Sequence, residues 1–417
     1  MQQHSQRTGQ QVPKKIGPFL FLGRCRPRAW SLPSSVVIVF RGTLTGHCRR
    51  SKKTALSFLS YTKNLALSSL QFSLTQSSSN RKLSFMFTFG FANTVYGFDP
   101  LVLLLIALLL DSYLGETKFP FKQFHHPVEI IGMLIGWFDR KLNRDNRSNV
   151  DRAFRGALVV FIIVILSAIV GWGASWLTQN HSLGWILELF FLTAMLAGRG
   201  LYDSVRAVGI GLEKSLEKGR EAVSHIAGRS PKHLDEHGVA RAAIESCAEN
   251  FSDGLVAPVF WYVLFGLPGL LVYKAVNTMD SMIGHMTPKY RAFGMTAARL
   301  DDILNLIPAR LSGLFLVLAA TVTPKAHPLN ALKIMLRDAG KHRSMNAGWP
   351  EGAAAGALNL ALAGPRHYHN TIVNDPWLGD GSARTGVKDI RNMLYLYVSG
   401  ALINGAWVAA LAVIRLN

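Results

Sequence analysis

Two stretches of 22 residues, Gly156 to Leu177 and Met393 to Ile414, contain no charged side chain. About 20 mostly apolar residues make a helix long enough to cross the hydrocarbon of a bilayer. Backbone groups in lipid must be satisfied within the segment, so helices are the expected spanning form. Two more stretches read the same way. Residues 87–110 carry one charge, Asp99, and residues 182–198 carry only Glu188. Two further segments look broken or re-entrant. Leu255 to Tyr273 is 19 uncharged residues interrupted by Pro258, Gly266, Pro268 and Gly269. Leu311 to Pro324 is shorter and extends back through Pro308 and Arg310. The expected fold is all-α, a polytopic membrane helical bundle with amphipathic cytoplasmic helices.

Composition agrees, with 17% charged residues against about 25% in soluble domains. The net charge of +20 would suggest nucleic acid, but residues 1–85 hold 14 Lys and Arg and no Asp or Glu, leaving 31 basic against 25 acidic residues elsewhere. No regular aromatic interleaving accompanies the basic segment, so no nucleic-acid partner is expected. Its Ser-rich, acid-free character superficially resembles an organellar transit peptide. The favoured expectation is a disordered or non-native extension with Met86 as the initiator, followed by one membrane domain over 86–417. Cys25 and Cys48 lie in that extension, so Cys247 has no internal disulfide partner in the body.

Loop charges orient the spans. Residues 115–155 and 199–254 hold eight Lys and Arg each, residues 178–185 none, and residues 325–391 nine. The three basic segments are placed in the cytoplasm of a multi-pass protein of the bacterial inner membrane. Strict alternation then puts 274–305, with four basic residues, outside. Apolar residues between Leu201 and Ile226 recur at helical spacing with charges between them, which predicts one amphipathic cytoplasmic helix. Asp235 starts the next, with Glu245 and Glu249 on one face.

Three polar stretches beside the apolar spans carry the chemistry: 248–254 (AENFSDG), 274–285 (KAVNTMDSMIGH) and 298–311 (ARLDDILNLIPARL). In a helix, Asn277, Asp280 or Ser281, and Gly284 share a face, as do Asp301 and Asn305. Carboxylates at membrane depth are costly and mark function. Such oxygen donors suit Mg²⁺ carried with a nucleotide or diphosphate. Glu249 with Asp253 also fits a helix end with its cap, and Asp301 with Asp302 a solvated face paired with Arg299. No zinc spacing, Walker loop, dinucleotide fingerprint or nucleophile elbow is present. The Asp-rich motifs of a membrane prenyltransferase are matched only loosely, and Asp253-Gly254 lies too far from Ala298-Arg299 for an alcohol phosphotransferase, while a transporter remains open.

The ordered motifs resemble the CobD/CbiB family of adenosylcobinamide-phosphate synthases. They run from Asp111-Ser112-Tyr113-Leu114-Gly115 and His126-Pro127-Val128 through Ala197-Gly198-Arg199-Gly200-Leu201 and Arg241 to Ser246. They continue through the three polar stretches to Asn346-Ala347-Gly348-Trp349-Pro350-Glu351 and Leu378-Gly379-Asp380-Gly381. Residues 1–85 have no counterpart in the pattern. The resemblance implies cobalamin biosynthesis: ATP-dependent amide ligation of adenosylcobyric acid with 1-amino-2-propanol or its phosphate. Under it, Asp280, Asp301 and Asp302 are expected to hold Mg²⁺, and Glu249 or Asp253 to take the amine proton. Lys274, Arg299 and Arg310 are expected at phosphates, Asn250, Asn277 and Asn305 at the substrates, and His285 as a secondary contact. Asp280 and Asp302 count among the catalytic candidates. Contact with other corrinoid-pathway membrane proteins is a further expectation.

Overall fold

The computed structural model describes residues 98–114, 126–227, 231–368 and 371–416. The 1–85 extension, the start of the 87–110 span and Gly115 lie outside them. Thirteen α-helices are placed among these residues: α1 Pro100–Leu114, α2 Pro127–Leu142, α3 Asn149–Asn180, α4 Gly184–Met195, α5 Gly198–Lys214, α6 Leu216–Val223, α7 Glu236–Phe251, α8 Ala257–Ile283, α9 Met295–Leu304, α10 Leu306–Ala319, α11 Pro328–Asp338, α12 Gly348–Leu358 and α13 Val387–Leu416. A π-helical turn, Ser252–Val256, joins α7 to α8. Strands β1 (Leu362–Tyr368) and β2 (Thr371–Leu378) form an antiparallel hairpin. Four helical stretches are long and apolar enough to cross a membrane, and a fifth candidate is the pair α9 and α10, bent by 47°. The fold is an all-α polytopic membrane bundle, with the hairpin as its one addition to the predicted helices.

The uncharged runs account for the long helices. Gly156 to Leu177 lies inside α3, which Ser148 caps by accepting from Asp151 N at 3.2 Å. The outer face of α3 stays apolar yet exposed, with Phe161 62% and Ile169 58% accessible, as a lipid-facing surface requires. Met393 to Ile414 lies inside α13. Its last turn meets the start of α1, where Arg415 Nε lies 3.0 Å from Asp99 Oδ2.

The broken span is resolved at Gly266. Its φ of 65° and ψ of −152° are non-helical, a region essentially reserved for glycine. The chain reverses there. Tyr273 Oη lies 3.2 Å from Asp253 O, whereas 20 residues of straight helix would separate them by about 30 Å. A Cβ added at Gly269 would lie 2.5 Å from Trp261 O, so the two arms touch. The second arm packs on α3, Gly171 admitting the Pro268 backbone, and the segment that follows it packs there too, Gly156 admitting the Phe293 carbonyl.

The helix predicted over 201–226 is two helices. Ser215 is extended (φ −166°, ψ 161°) and caps α6 by accepting from Lys218 N. Helix α6 then folds back on α5, with Gly211 against the Lys218 carbonyl. A capping serine and the close approach of Gly211 to Gly219 override a continuous apolar period. Asp235 does cap α7, accepting from Gly238 N at 2.7 Å.

Two buried apolar clusters hold these elements. One centres on Ile244, Phe251, Tyr262, Leu316 and Leu396. The other seats the second arm of α8 against α2 and α3 through Ile135, Val159, Ile163, Val276, Met279 and Phe293.

Candidate functional site

One acidic cleft gathers most of the predicted residues. It holds about 440 Å³ of empty space, its open mouth included, and is lined by Glu249, Ser252, Asp253, Asp280, Asp301, Asp302, Asn305, Ser344, Asn346, Ala347 and Pro350. Four parts of the chain meet there: the end of α7 with its π turn, the second arm of α8, the α9–α10 bend, and the segment before α12. The reversal at Gly266 makes this possible, because it returns Asp280 to the level of Asp253.

The π turn has a local purpose. A π turn is an uncommon element that concentrates at functional sites. Here Gly254 O turns outward and accepts from Ala197 N at 3.2 Å, while Ser252 and Asp253 line the cleft.

Asp301 is fixed by both oxygens. Asn305 Nδ2 donates to Oδ2 at 2.9 Å and Asn277 Nδ2 to Oδ1 at 3.4 Å. Tyr273 Oη in turn donates to Asn305 Oδ1 at 3.0 Å. Asn277 and Asn305, expected at the substrates, therefore spend their amides on Asp301. On the opposite wall, Asn346 Nδ2 donates to Asp302 O at 2.8 Å and its Oδ1 accepts from Arg310 Nη1 at 2.6 Å. The Arg310 guanidinium lies 4.7 Å from the centre of the Trp349 ring. Arg310 thus reaches the cleft wall through Asn346.

Other predicted residues stand apart from the lining. Asn250 donates to Ser246 O within its own helix. Lys274 is buried at 9% exposure on the second arm of α8. Arg299 is exposed on α9. His285 is exposed, its ring 6.4 Å from that of Tyr290. Ser252, Tyr273, Ser344 and Asn346 belong to the cleft or its support and were not singled out as site residues. Asn346 sits inside a quoted motif and Tyr273 directly before one, and that is their signal.

Five carboxylates in one cleft need cations to offset them. Their hard oxygens match Mg²⁺. Among the described residues no three His, Cys, Asp or Glu converge closely enough to hold a metal by themselves. Asp280, Asp301 and Asp302 share the cleft but do not form a cage. That arrangement fits an ion that keeps several waters and completes its shell with substrate phosphate oxygens.

Comparisons with known proteins agree with this motif layout. The family model described as CobD/Cbib protein matches residues 104–397. The chain is 45% identical over 321 residues to a "Cobalamin biosynthesis protein CobD" of Sinorhizobium sp, covering 75% of this chain and 98% of the relative. A protein of the same name from Brucella anthropi is 44% identical over 320 residues, covering 74% of this chain and 96% of its own length. One from Rhodobacter capsulatus is 43% identical over 297 residues, covering 71% and 92%. No solved structure matches.

Proposed function

The chain belongs to the CobD/CbiB family, and on that premise we propose that it is a membrane enzyme of cobalamin biosynthesis that ligates adenosylcobyric acid to aminopropanol or its phosphate at the expense of ATP. The observation that carries this reading is the cleft, where Glu249, Asp253, Asp280, Asp301 and Asp302 face one space. A carboxylate does not condense with an amine at neutral pH without activation. In the proposed route a corrinoid carboxylate oxygen attacks the γ-phosphorus of ATP, and ADP leaves. The amine nitrogen then attacks the acyl carbon, inorganic phosphate leaves, and the amine proton passes to a base.

Each step assigns work to this chain's residues. Glu249 or Asp253, side by side at the π turn, takes the amine proton. Asp280, Asp301 and Asp302 would hold Mg²⁺ brought in with ATP, which supplies charge neutralisation at the phosphoryl group. Asn277 and Asn305 keep the Asp301 oxygens aimed. Arg310, steadied by Asn346 and the Trp349 face, is a guanidinium at the cleft wall for phosphate. Lys274 and Arg299 keep only a supporting electrostatic role. The enzyme is placed in the bacterial inner membrane, with the cleft on the cytoplasmic side where ATP is available.

The test is direct. Purified protein in detergent is given adenosylcobyric acid, aminopropanol phosphate, ATP and Mg²⁺, and the products are read by mass spectrometry. The expected product is the amide, formed one for one with ADP. ATP-independent substrate flux in proteoliposomes without amide formation would replace the ligase with a transporter.

A further inference from the structure

Helix α11 presents an apolar stripe that none of the other described residues covers. Its inner face, Ala331, Ile334, Met335 and Asp338, is buried. Its outer face carries Leu329, Leu332 and Leu336 at i, i+3 and i+7, with Leu329 84% and Leu336 63% exposed. Exposed apolar side chains also recur on the preceding helix α10 at Leu314 and Leu318, and at Val322 after it. Charge accompanies it. Residues 325–343 hold five Lys and Arg and one acid, Asp338. That acid is buried and already bonded to Arg337 and Lys341. Asp380 also faces the helix, paired with Arg337 at 2.6 Å and within the field of Lys333, while Lys325 and Lys333 remain at the surface.

We infer that α11 is an interfacial helix that docks on anionic phospholipid, its leucines entering the acyl boundary and Lys325 and Lys333 meeting the head-group phosphates. A helix of this pattern partitions into the interface by its buried apolar area and by attraction to negative lipid. Lysine stems lie along the apolar surface while their charges stay in the polar layer. Two features of the fold favour lipid over another occupant. The exposed leucines recur on the neighbouring α10 as well, and the net positive charge left after Asp338 and Asp380 are counted has the sign that the inner leaflet attracts. The inference stands independently of the ligase reading. It also places the membrane surface beside the cleft, because the chain runs from α11 straight into Ser344, Asn346 and Ala347 of the lining.

Nitroxide labels on full-length protein test it, with Cys25→Ser and Cys48→Ser removing the other reactive thiols and Cys247 buried. Leu329→Cys or Leu336→Cys is labelled in nanodiscs of phosphatidylcholine with phosphatidylglycerol. Both labels are expected to collide with oxygen more than with a water-soluble nickel chelate, and to sit deeper than a label at Lys333→Cys. Native mass spectrometry of Lys325→Gln/Lys333→Gln should show several-fold less retained phosphatidylglycerol, with phosphatidylcholine unchanged. Free nickel access at Leu329 and Leu336 would overturn the inference. So would label-to-label coupling between two copies, which would make the stripe a protein interface, and so would unaltered phosphatidylglycerol retention in the lysine variant.

Discussion

Asp302 lies inside a quoted motif and Asp338 between two of them, and the structure gives them opposite duties. Asp302 faces the cleft, and its backbone carbonyl, not its carboxylate, takes the bond from Asn346. Its carboxylate lies in the field of Arg299 and at the cleft wall, where it can meet a ligand. Asp302→Asn should lower kcat/KM for amide formation by about 10²-fold while thermal unfolding in detergent barely moves. Full retained activity would remove Asp302 from the ion-holding set. Asp338 is sealed at 0% exposure. It takes two bonds of 2.7 Å from Arg337, one from Gly379 N at 2.9 Å and an ion pair to Lys341 at 2.6 Å. The Arg337 guanidinium, which also bridges Asp380, holds its carboxyl well below the usual carboxylate range, with Lys341 and Gly379 helping. A carboxyl depressed in the folded state contributes stability that is present above the unfolded pKa of about 3.9 and is lost as pH falls through the folded value. Asp338→Asn should therefore cost about 1.5–3 kcal/mol near neutrality. The gap between the variant's and the parent's melting temperatures should close as buffers descend below about pH 4. A gap that stays constant with pH would mean the carboxylate charge is not the cause. The motifs quoted from the sequence were legible as a set, but not this division of labour. Asp111 Oδ2 accepts from Arg199 N at 3.3 Å at the start of α5, and Glu245 Oε1 accepts from Ala363 N at 2.8 Å. Such partners lie 88 and 118 residues apart, beyond the reach of any local pattern.

At the scale of elements, what was legible followed from period and length. The uncharged runs became α3 and α13, and Asp235 capped α7, because these depend on local backbone chemistry and apolar burial alone. What was not legible depended on reversals. Ser215 and Gly266 each break a pattern whose apolar spacing runs on undisturbed. The β1–β2 hairpin, whose Trp377 lies under the Arg241 guanidinium at 5.2 Å, owes its position to tertiary contacts. Gly266 is the more consequential reversal. In this φ/ψ region any Cβ adds strain of about 1–3 kcal/mol. Gly266→Ala should therefore lower the melting temperature and also reduce activity more than stability, because Asp280 and Asp253 share the cleft only through that turn. Parallel melts and amide-ligation rates would check it. A variant that matches the parent in both would show that the turn tolerates a side chain and that its geometry is not required.

At the scale of the whole molecule, charge counting and catalysis disagreed about residues 274–305. Alternation across a single span at 255–273 would strand Asp280, Asp301 and Asp302 on the outer side, away from cytoplasmic ATP. The count fails because it treats that stretch as one crossing. With the reversal at Gly266 the chain goes out along 257–265 and returns along 267–283, so its two ends lie on one side. Residues 284–294 then join 199–254 on that side, and four basic residues in 274–305 become a local density rather than a sign of export. The segment is held there by polar bonds to helices on the same side. Asn143 Nδ2 donates to Lys289 O at 3.2 Å, Lys289 Nζ donates to Asp139 Oδ2 at 3.1 Å, and Arg152 reaches the same Lys289 carbonyl. Residue 285 is exposed in this segment and lies outside the cleft lining, so a cysteine there reports on which side the segment lies. In the chain carrying Cys25→Ser and Cys48→Ser, His285→Cys should resist a membrane-impermeant maleimide in right-side-out spheroplasts. It should react within minutes in inverted vesicles, as a cysteine in the basic 199–254 loop does. Labelling from the spheroplast exterior would put the acidic cleft outside the cell. The ligase reading would then lose its nucleotide, whereas a transporter would keep its binding site.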